Sequence, residues 1–383
     1  RSEPCYLFKL SAFQDRLLAY YKENPDFIQP ESRRNEILSL IETEGLRDIN
    51  ISRTGEEWGL RIPFDPEFTI YVWFDALLTY ITGIGYADDR ATFDKFWPAD
   101  MHFIGKDITR FHTALWPAML WAAGEQAPKK VFGHGFVNIK GEKIGKSFGN
   151  VVEPMDIITK FNVDAFRYYF MRECPFPSDG DFSWDRFTDV FNSELANNLG
   201  NLLSRCLTLI TKNYAGTLSG TAGKVPDAIL GVPGSKVGVF SEAVDYAATP
   251  IEVINLATVV DSIREAVESC KYSVALSRIF STVLSPANQY LETNAPWKLV
   301  KSDKTLAGNI LFHAVNTLRI ASILLKPFIP RSAETIYKSF NFPTPWDEVK
   351  YADAAELKAQ PDDLRVTAEL VDGKVKPLFP RIA

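Results

Sequence analysis

Two lysines three residues apart, Lys143 and Lys146, lie in the stretch Gly141-Glu142-Lys143-Ile144-Gly145-Lys146-Ser147-Phe148-Gly149-Asn150. Lysine ammonium groups are compact, mobile point charges suited to a polyphosphate whose charge shifts during reaction. Glycines let backbone N–H groups approach an anion closely, and Ser147 adds a hydroxyl. A solvated surface turn has the same composition, so this stretch alone leaves both readings open. A second candidate is Phe103-Ile104-Gly105-Lys106-Asp107, where a strand runs into a glycine turn and a helix. Ligands of open α/β sheets bind at the carboxyl ends of strands, and an acidic side chain there can hold a ribose hydroxyl. Asp107 serves equally well as a helix cap. Ile108 and His112, four apart, share a helical face. Trp73 closes a strand and Tyr80 lies one helical turn beyond Ala76, so the two can wall an apolar pocket or simply pack a core. Asn201 and Arg205 share another face, and Asn288, Ala295, Pro296 and Trp297 mark a helix end far along the chain. Amide, guanidinium and indole groups read unstacked RNA bases, although a polar stripe beside a core tryptophan also accounts for them.

The elements that must position these groups fall into two kinds. Ser11 and Gln14 form a capping box ahead of a helix through Leu17, Leu18 and Tyr21. A second helix starts near Ser32 and stops at Gly45. Residues 46–73 read as strands, with alternation at Ile49 and Ile51 and a β-rich run from Thr69 to Trp73. A helix over 75–81 follows, then a strand at His102-Phe103-Ile104. A helix over 107–123 carries Pro117, which predicts a kink or early stop. A strand over 130–137 leads into the two-lysine loop. This order predicts a parallel sheet with crossover helices. Beyond Asp185, long segments of 3.6-residue period take over at 187–214, 251–291 and 306–340, broken by the Gly- and Pro-containing stretch 216–235. They predict a helical bundle, with 347–383 packing back as a tail. The fold class is therefore α/β plus all-α.

Bulk properties narrow the function. A chain of 383 residues suits two domains. With 42 Lys plus Arg against 48 Asp plus Glu, a uniformly basic nucleic-acid coat is excluded, and RNA contact must come from local patches. Cys5, Cys174, Cys206 and Cys270 are scattered, without the spacing of a structural zinc site or a disulfide framework. A reducing compartment is expected. No apolar run long enough to cross a membrane is expected, and no signal peptide opens the chain.

Taken together, these segments resemble methionyl-tRNA synthetase, a class I aminoacyl-tRNA synthetase, over nearly the whole length. The resemblance is carried by Tyr-Val-Trp-Phe-Asp-Ala at 71–76 and Phe-Ile-Gly-Lys-Asp-Ile with Phe-His at 103–112. It continues through Trp116-Pro117-Ala118-Met119-Leu120, Gly133-His134-Gly135-Phe136, Asn201-Leu202-Leu203-Ser204-Arg205 and Asn294-Ala295-Pro296-Trp297. It implies a partial Rossmann-type parallel-sheet domain followed by a helical-bundle anticodon-binding domain. Trp73, Ala76, Leu77, Tyr80, Ile108 and His112 would line the methionine side-chain pocket. Gly105 and Asp107 would hold the adenosine ribose, with His134 near the nucleotide. Lys143, Lys146 and Ser147 would grip the ATP phosphates, which bring Mg²⁺ with them, and Lys146 is the more important lysine. Asn201, Arg205 and Trp297 would read the CAU anticodon of tRNA(Met). The implied reaction is attack of the methionine carboxylate on the α-phosphate of ATP, then transfer of the methionyl group to the tRNA. Positioning and electrostatics would supply most of the catalysis.

The implied divisions are 1–140 for the second half of the catalytic domain and 141–184 for the signature loop and stem-contact connector. The anticodon-binding domain would span 185–345, and 346–383 the tail. The family's loop reads Lys-Met-Ser-Lys-Ser, whereas here Ile144 and Gly145 stand in the middle, which predicts a functional but more mobile loop. None of His102, His112, His134 and His313 fits the family's His-Ile-Gly-His signature, and no zinc-binding insertion is present. The chain is thus expected to correspond to the C-terminal part of such an enzyme and to need the front half for catalysis. A monomer in the cytoplasm is expected, with a mitochondrial or plastid matrix as the alternative location. Two other functions compete: a non-catalytic tRNA-binding module or paralogue, and a non-RNA nucleotidyltransferase.

Overall fold

In the computed structural model of the chain, which describes residues 4–55, 58–139, 141–144, 151–219, 256–355 and 363–382, the anticipated parallel sheet is built from three short strands. Val131–His134 lies in the middle, with Ile28–Gln29 and His102–Gly105 parallel on either side. Val131 pairs with both Ile28 and His102. The chain divides into two units, Arg1–Phe136 and Val137–Ala383, and this sheet belongs to the first.

Helices Gln14–Glu23 and Glu31–Glu44 bury i, i+4 pairs, Leu17 with Tyr21 and Ile37 with Ile41, against Ile28, Ile104, Ala118 and Val131. The second helix ends at Gly45 as anticipated, because its φ of 73° is open to glycine at little cost. The capping box does not form. Ser11 lies in a 3-10 turn, Leu10–Phe13, where its amide and hydroxyl both donate to the Asp48 carboxylate at 3.1 and 2.6 Å. Gln14 Oε1 accepts from the Leu46 amide at 2.7 Å. Both side chains have better partners across the fold than within their own turn.

Three further expectations are corrected. The β-rich run stops at Ile70, and helix Val72–Thr82 begins two residues later, so Trp73 lies in a first helical turn rather than closing a strand. The expected helix over 107–123 is three pieces: a 3-10 turn Lys106–Ile108, a π turn Phe111–Leu115 and the α-helix Trp116–Ala122. Pro117 has no N–H for the Thr113 carbonyl. The buried Tyr21 hydroxyl donates to that carbonyl instead, at 2.6 Å. The expected strand over 130–137 ends at His134. Val137–Ile139 joins another sheet, antiparallel to Glu142–Lys143 and parallel to Gly180–Phe182.

The second unit is dominated by helices. Trp184–Val190 runs through π turns at Phe191–Gly200 into Asn201–Tyr214, and Tyr272–Arg278 runs through Ile279–Leu284 into Ser285–Asn294. Leu256–Glu268 and Pro330–Lys338 pack with them around Lys304–Leu325. This last helix is long and apolar enough to cross a bilayer, contrary to the sequence expectation, yet 94% of its apolar window is buried inside the fold. A helix that is apolar all round is what the centre of a bundle requires. After the bundle, Asp363–Arg365 pairs with Thr217–Ser219, Leu370–Val371 forms a hairpin with Lys374–Val375, and Phe379 packs edge-on against Phe191.

Candidate active site and base-reading pocket

The helical start at Val72 gives Trp73, Ala76, Leu77 and Tyr80 the spacing i, i+3, i+4, i+7, which is one helix face. A strand would have split Trp73 and Ala76 between opposite faces. Leu77 is buried, Trp73 and Ala76 are half-buried, and Tyr80 is partly open to solvent. The Tyr80 hydroxyl meets His112 Nε2 at 2.8 Å, and His112 Nδ1 lies 3.0 Å from the Ile108 carbonyl. A carbonyl only accepts, so Nδ1 carries the proton and Nε2 accepts from the tyrosine. Burial lowers the His112 pKa, only partly offset by the Ile108 carbonyl. The ring is therefore a neutral, doubly bonded wall rather than a charge. The predicted i, i+4 relation of Ile108 and His112 is realised as this hydrogen bond. The π turn rotates His112 and Phe111 relative to an ordinary helix, and the Trp73 and Phe111 rings stack at 4.8 Å.

Gly105 ends its strand beside Asp107. A Cβ added to Gly105 would meet Asp107 Oδ1 at 2.9 Å, so a larger residue there would displace the carboxylate. No side chain caps the short 3-10 turn, so Asp107 is not the helix cap that was its alternative role. The carboxylate is exposed and accepts no hydrogen bond among the described residues. His134, at the end of the neighbouring strand, stacks on Phe103 at 5.1 Å, and its Nδ1 lies 2.8 Å from the Gly135 carbonyl. Gly105, Asp107 and His134 thus share the carboxyl edge of the sheet, where ligands of such sheets sit. Lys143 falls in the strand Glu142–Lys143 of the second unit. Lys146 and Ser147 lie outside the described residues.

In the helical unit, the Arg205 guanidinium lies 4.6 Å above the Trp297 ring and pairs with Glu292 at 2.7 Å. Ala295 directs the indole there. Its φ of 42° is left-handed, which costs a non-glycine residue roughly 1–2 kcal/mol, and it separates Ser285–Asn294 from the short helix Pro296–Leu299. Ser204, Arg205, Thr208, Leu209 and Trp297 line a concavity of about 330 Å³. Asn201 is exposed one turn before Arg205. Asn288 has a different place, bonded within the bundle to Asn198 Oδ1 at 2.8 Å.

A family model described as tRNA synthetases class I (M) matches residues 1–207. The chain belongs to this family. A second model, described as the anticodon binding domain of methionyl tRNA ligase, matches residues 251–370. The chain is 42% identical over 357 residues to the methionine–tRNA ligase of Caldanaerobacter subterraneus subsp. tengcongensis, covering 91% of this chain and 52% of that protein. It is 41% identical over 385 residues to that of Clostridium tetani, covering 99% and 55%. The chain thus spans about half the length of these curated relatives. The solved Mycobacterium tuberculosis methionyl-tRNA synthetase bound by methionyl-adenylate matches with a TM-score of 0.82 and 35% identity, covering 99% of this chain and 69% of that one.

A second layer of side chains, not among the sequence expectations, lies behind Tyr80. The His102 ring lies 4.3 Å from the Tyr80 ring, and its Nε2 accepts from the Trp116 indole N–H at 3.2 Å. Burial, then the neighbouring His112, lowers the His102 pKa to about 4. Trp97 packs edge-on against Trp116 at 6.0 Å. Trp116 lies four residues after His112, so helical spacing could have suggested it. His102 had no such signal, because its strand reaches Tyr80 only through the tertiary fold.

Proposed function

We propose that the chain carries the methionine pocket, the phosphate-side loop and the anticodon-reading surface of a methionine–tRNA ligase. That enzyme would activate methionine with ATP to methionyl-adenylate and transfer it to tRNA(Met). The observation that carries this reading is the Tyr80–His112–Ile108 chain of hydrogen bonds behind the face of Trp73, Ala76 and Leu77. It makes a neutral, aromatic, polarizable face. Aromatic rings make favourable contacts to a thioether sulfur, and a pocket that rejects shorter alkyl chains has only about 1–3 kcal/mol per methylene to work with. A rigid lining is therefore an advantage.

In the mechanism, Asp107 accepts from ribose hydroxyls, with Gly105 leaving room for the carboxylate. His134 offers a flat face beside the nucleotide. Lys143, Lys146 and Ser147 balance the negative charge that builds on the departing pyrophosphate, which enters with Mg²⁺ as part of the ATP substrate. Arg205, laid on the Trp297 ring, and Trp297 itself present a guanidinium and an indole to an anticodon base, and Asn201 supplies an amide one turn away. The functional divisions are 1–140, 141–184, 185–345 and 346–383. Cys5, Cys174, Cys206 and Cys270 are free thiols, which fits a reducing cytoplasm.

ATP–pyrophosphate exchange tests this reading. It is measured on the chain alone and with a complementary segment, the part of the Clostridium tetani relative that the chain does not span. Methionine-dependent exchange that appears on mixing is the expected result. Its absence, with an intact anticodon-hairpin affinity, would instead assign the chain to a non-catalytic RNA-binding module.

A further inference from the structure

The face of helix Asn201–Tyr214 that carries Arg205 continues past the base-reading pocket. Arg205, Thr208 and Lys212 follow at i, i+3 and i+7. Thr208 lines two concavities. One is the Arg205–Trp297 pocket, and the other, about 260 Å³, is also lined by Thr211, Lys212, Leu370, Gly373, Lys374 and Val375. Its walls therefore come from the helix and from the hairpin after the bundle. Lys212 and Lys374 are exposed, and neither forms an ion pair among the described residues, whereas the adjacent Lys376 is held by Glu369 at 2.9 Å. The Thr211 hydroxyl is shielded from solvent and has no hydrogen-bond partner among the described residues. At the hairpin tip Gly373 has a φ of 72°, and nothing lies within 4 Å of where its Cβ would stand. The backbone there is open to a ligand.

We propose that this second concavity seats the sugar–phosphate backbone of the RNA strand whose bases enter the Arg205–Trp297 pocket. Lys212 and Lys374 neutralise neighbouring phosphates, and the Thr208 hydroxyl donates to a phosphate oxygen. The proposal rests on the reading of the Arg205–Trp297 pocket as a base-reading site. Two observations select this occupant. The concavity borders that pocket at Thr208, and its unpaired charges are cationic on a chain of net charge −6. Phosphate contacts position a strand while base contacts specify it. The two concavities divide that work.

The test uses a fluorescein-labelled RNA anticodon hairpin with CAU in its loop, and the same hairpin with that triplet scrambled. Binding to the full chain is titrated from 0.1 to 1 M KCl. In the double variant K212A/K374A, the slope of log affinity against log salt should fall by about 1.4, at about 0.7 per phosphate of a single strand. Affinity should drop roughly 25-fold at 0.1 M and converge with the parent towards 1 M. Preference for CAU over the scrambled loop should persist, and K212R/K374R should restore the slope. An unchanged slope in K212A/K374A, while Trp297→Ala abolishes the CAU preference, overturns the proposal and leaves the base-reading pocket standing. No CAU preference in the parent chain overturns both.

Discussion

The two proposed recognition sites of this chain are built in opposite ways. Around Tyr80, polar ring atoms are tied inward: the tyrosine to His112, His112 to Ile108, Trp116 to His102. Around Trp297, the main polar group is an Arg205 guanidinium laid on the half-buried indole and paired with a mostly solvated Glu292. A small apolar side chain offers few handles, so its pocket must be stiff and pre-formed. An RNA loop brings its own charge and stacking surface, so its pocket can be open and partly held by an exchangeable ion pair. On the proposed assignment, selection by shape would be concentrated in the first unit, and selection by charge and stacking in the second.

Four substitutions or conditions sharpen this contrast. The largest effect should come from Lys146→Ala, which belongs to neither pocket. Exchange with the complementary segment should fall roughly 10²–10³-fold, the usual cost of losing one group that stabilises transition-state charge. Hairpin affinity should be unchanged, and an unaltered exchange rate would remove Lys146 from the site. Trp297→Ala should weaken CAU-hairpin binding by roughly 10–100-fold, since stacking on one base is worth about 1–3 kcal/mol. Exchange should stay within twofold, and a parallel loss of exchange would contradict the separation of the two sites. Tyr80→Phe leaves His112 Nε2 without its donor, at a cost of about 1–2 kcal/mol. The methionine KM in exchange should rise roughly 5–30-fold while hairpin binding is untouched, and no change would mean that the hydroxyl does not hold the pocket.

The smallest effect tests what the units share. His102 in the first and His313 in the second are buried, and burial lowers each pKa to about 4. Between the unfolded value near 6.5 and 4, the unfolded chain binds more protons than the folded one. Stability should therefore be full above about 6.5 and decline as pH falls towards 4. Urea unfolding at stepped pH measures this, and His313→Gln should flatten part of the decline. A pH-independent midpoint across that window would show that neither histidine is held neutral.

Much of this was legible in the residues because it depends on local spacing. The end of helix Glu31–Glu44 at Gly45, the parallel strands and the i, i+4 pairs all follow from side-chain period and turn chemistry. What was not legible depended on partners far along the chain. Ser11 and Gln14 spelled a capping box, but Asp48 and the Leu46 amide claimed them. The run Thr69–Trp73 spelled a strand, since β-branched and aromatic residues favour one. Packing of Leu77 and Ile81 against Trp97 and Trp116 turned its last part into a helix. That change is also what places Trp73 with Ala76, Leu77 and Tyr80.

By itself, then, the sequence determined the family, the order of a sheet unit and a helical unit, and which residue types stand at the candidate sites. These are matters of type and local period. Only the tertiary structure decided that Ile108 assigns the His112 proton and that His102 and Trp116 back Tyr80. It also decided that Ala295 in a left-handed turn delivers Trp297 to Arg205, and that the hairpin Leu370–Val375 reaches the same helix face. Each of these joins groups from separate elements, and a contact across such a gap is set by how whole elements pack, which local spacing does not encode.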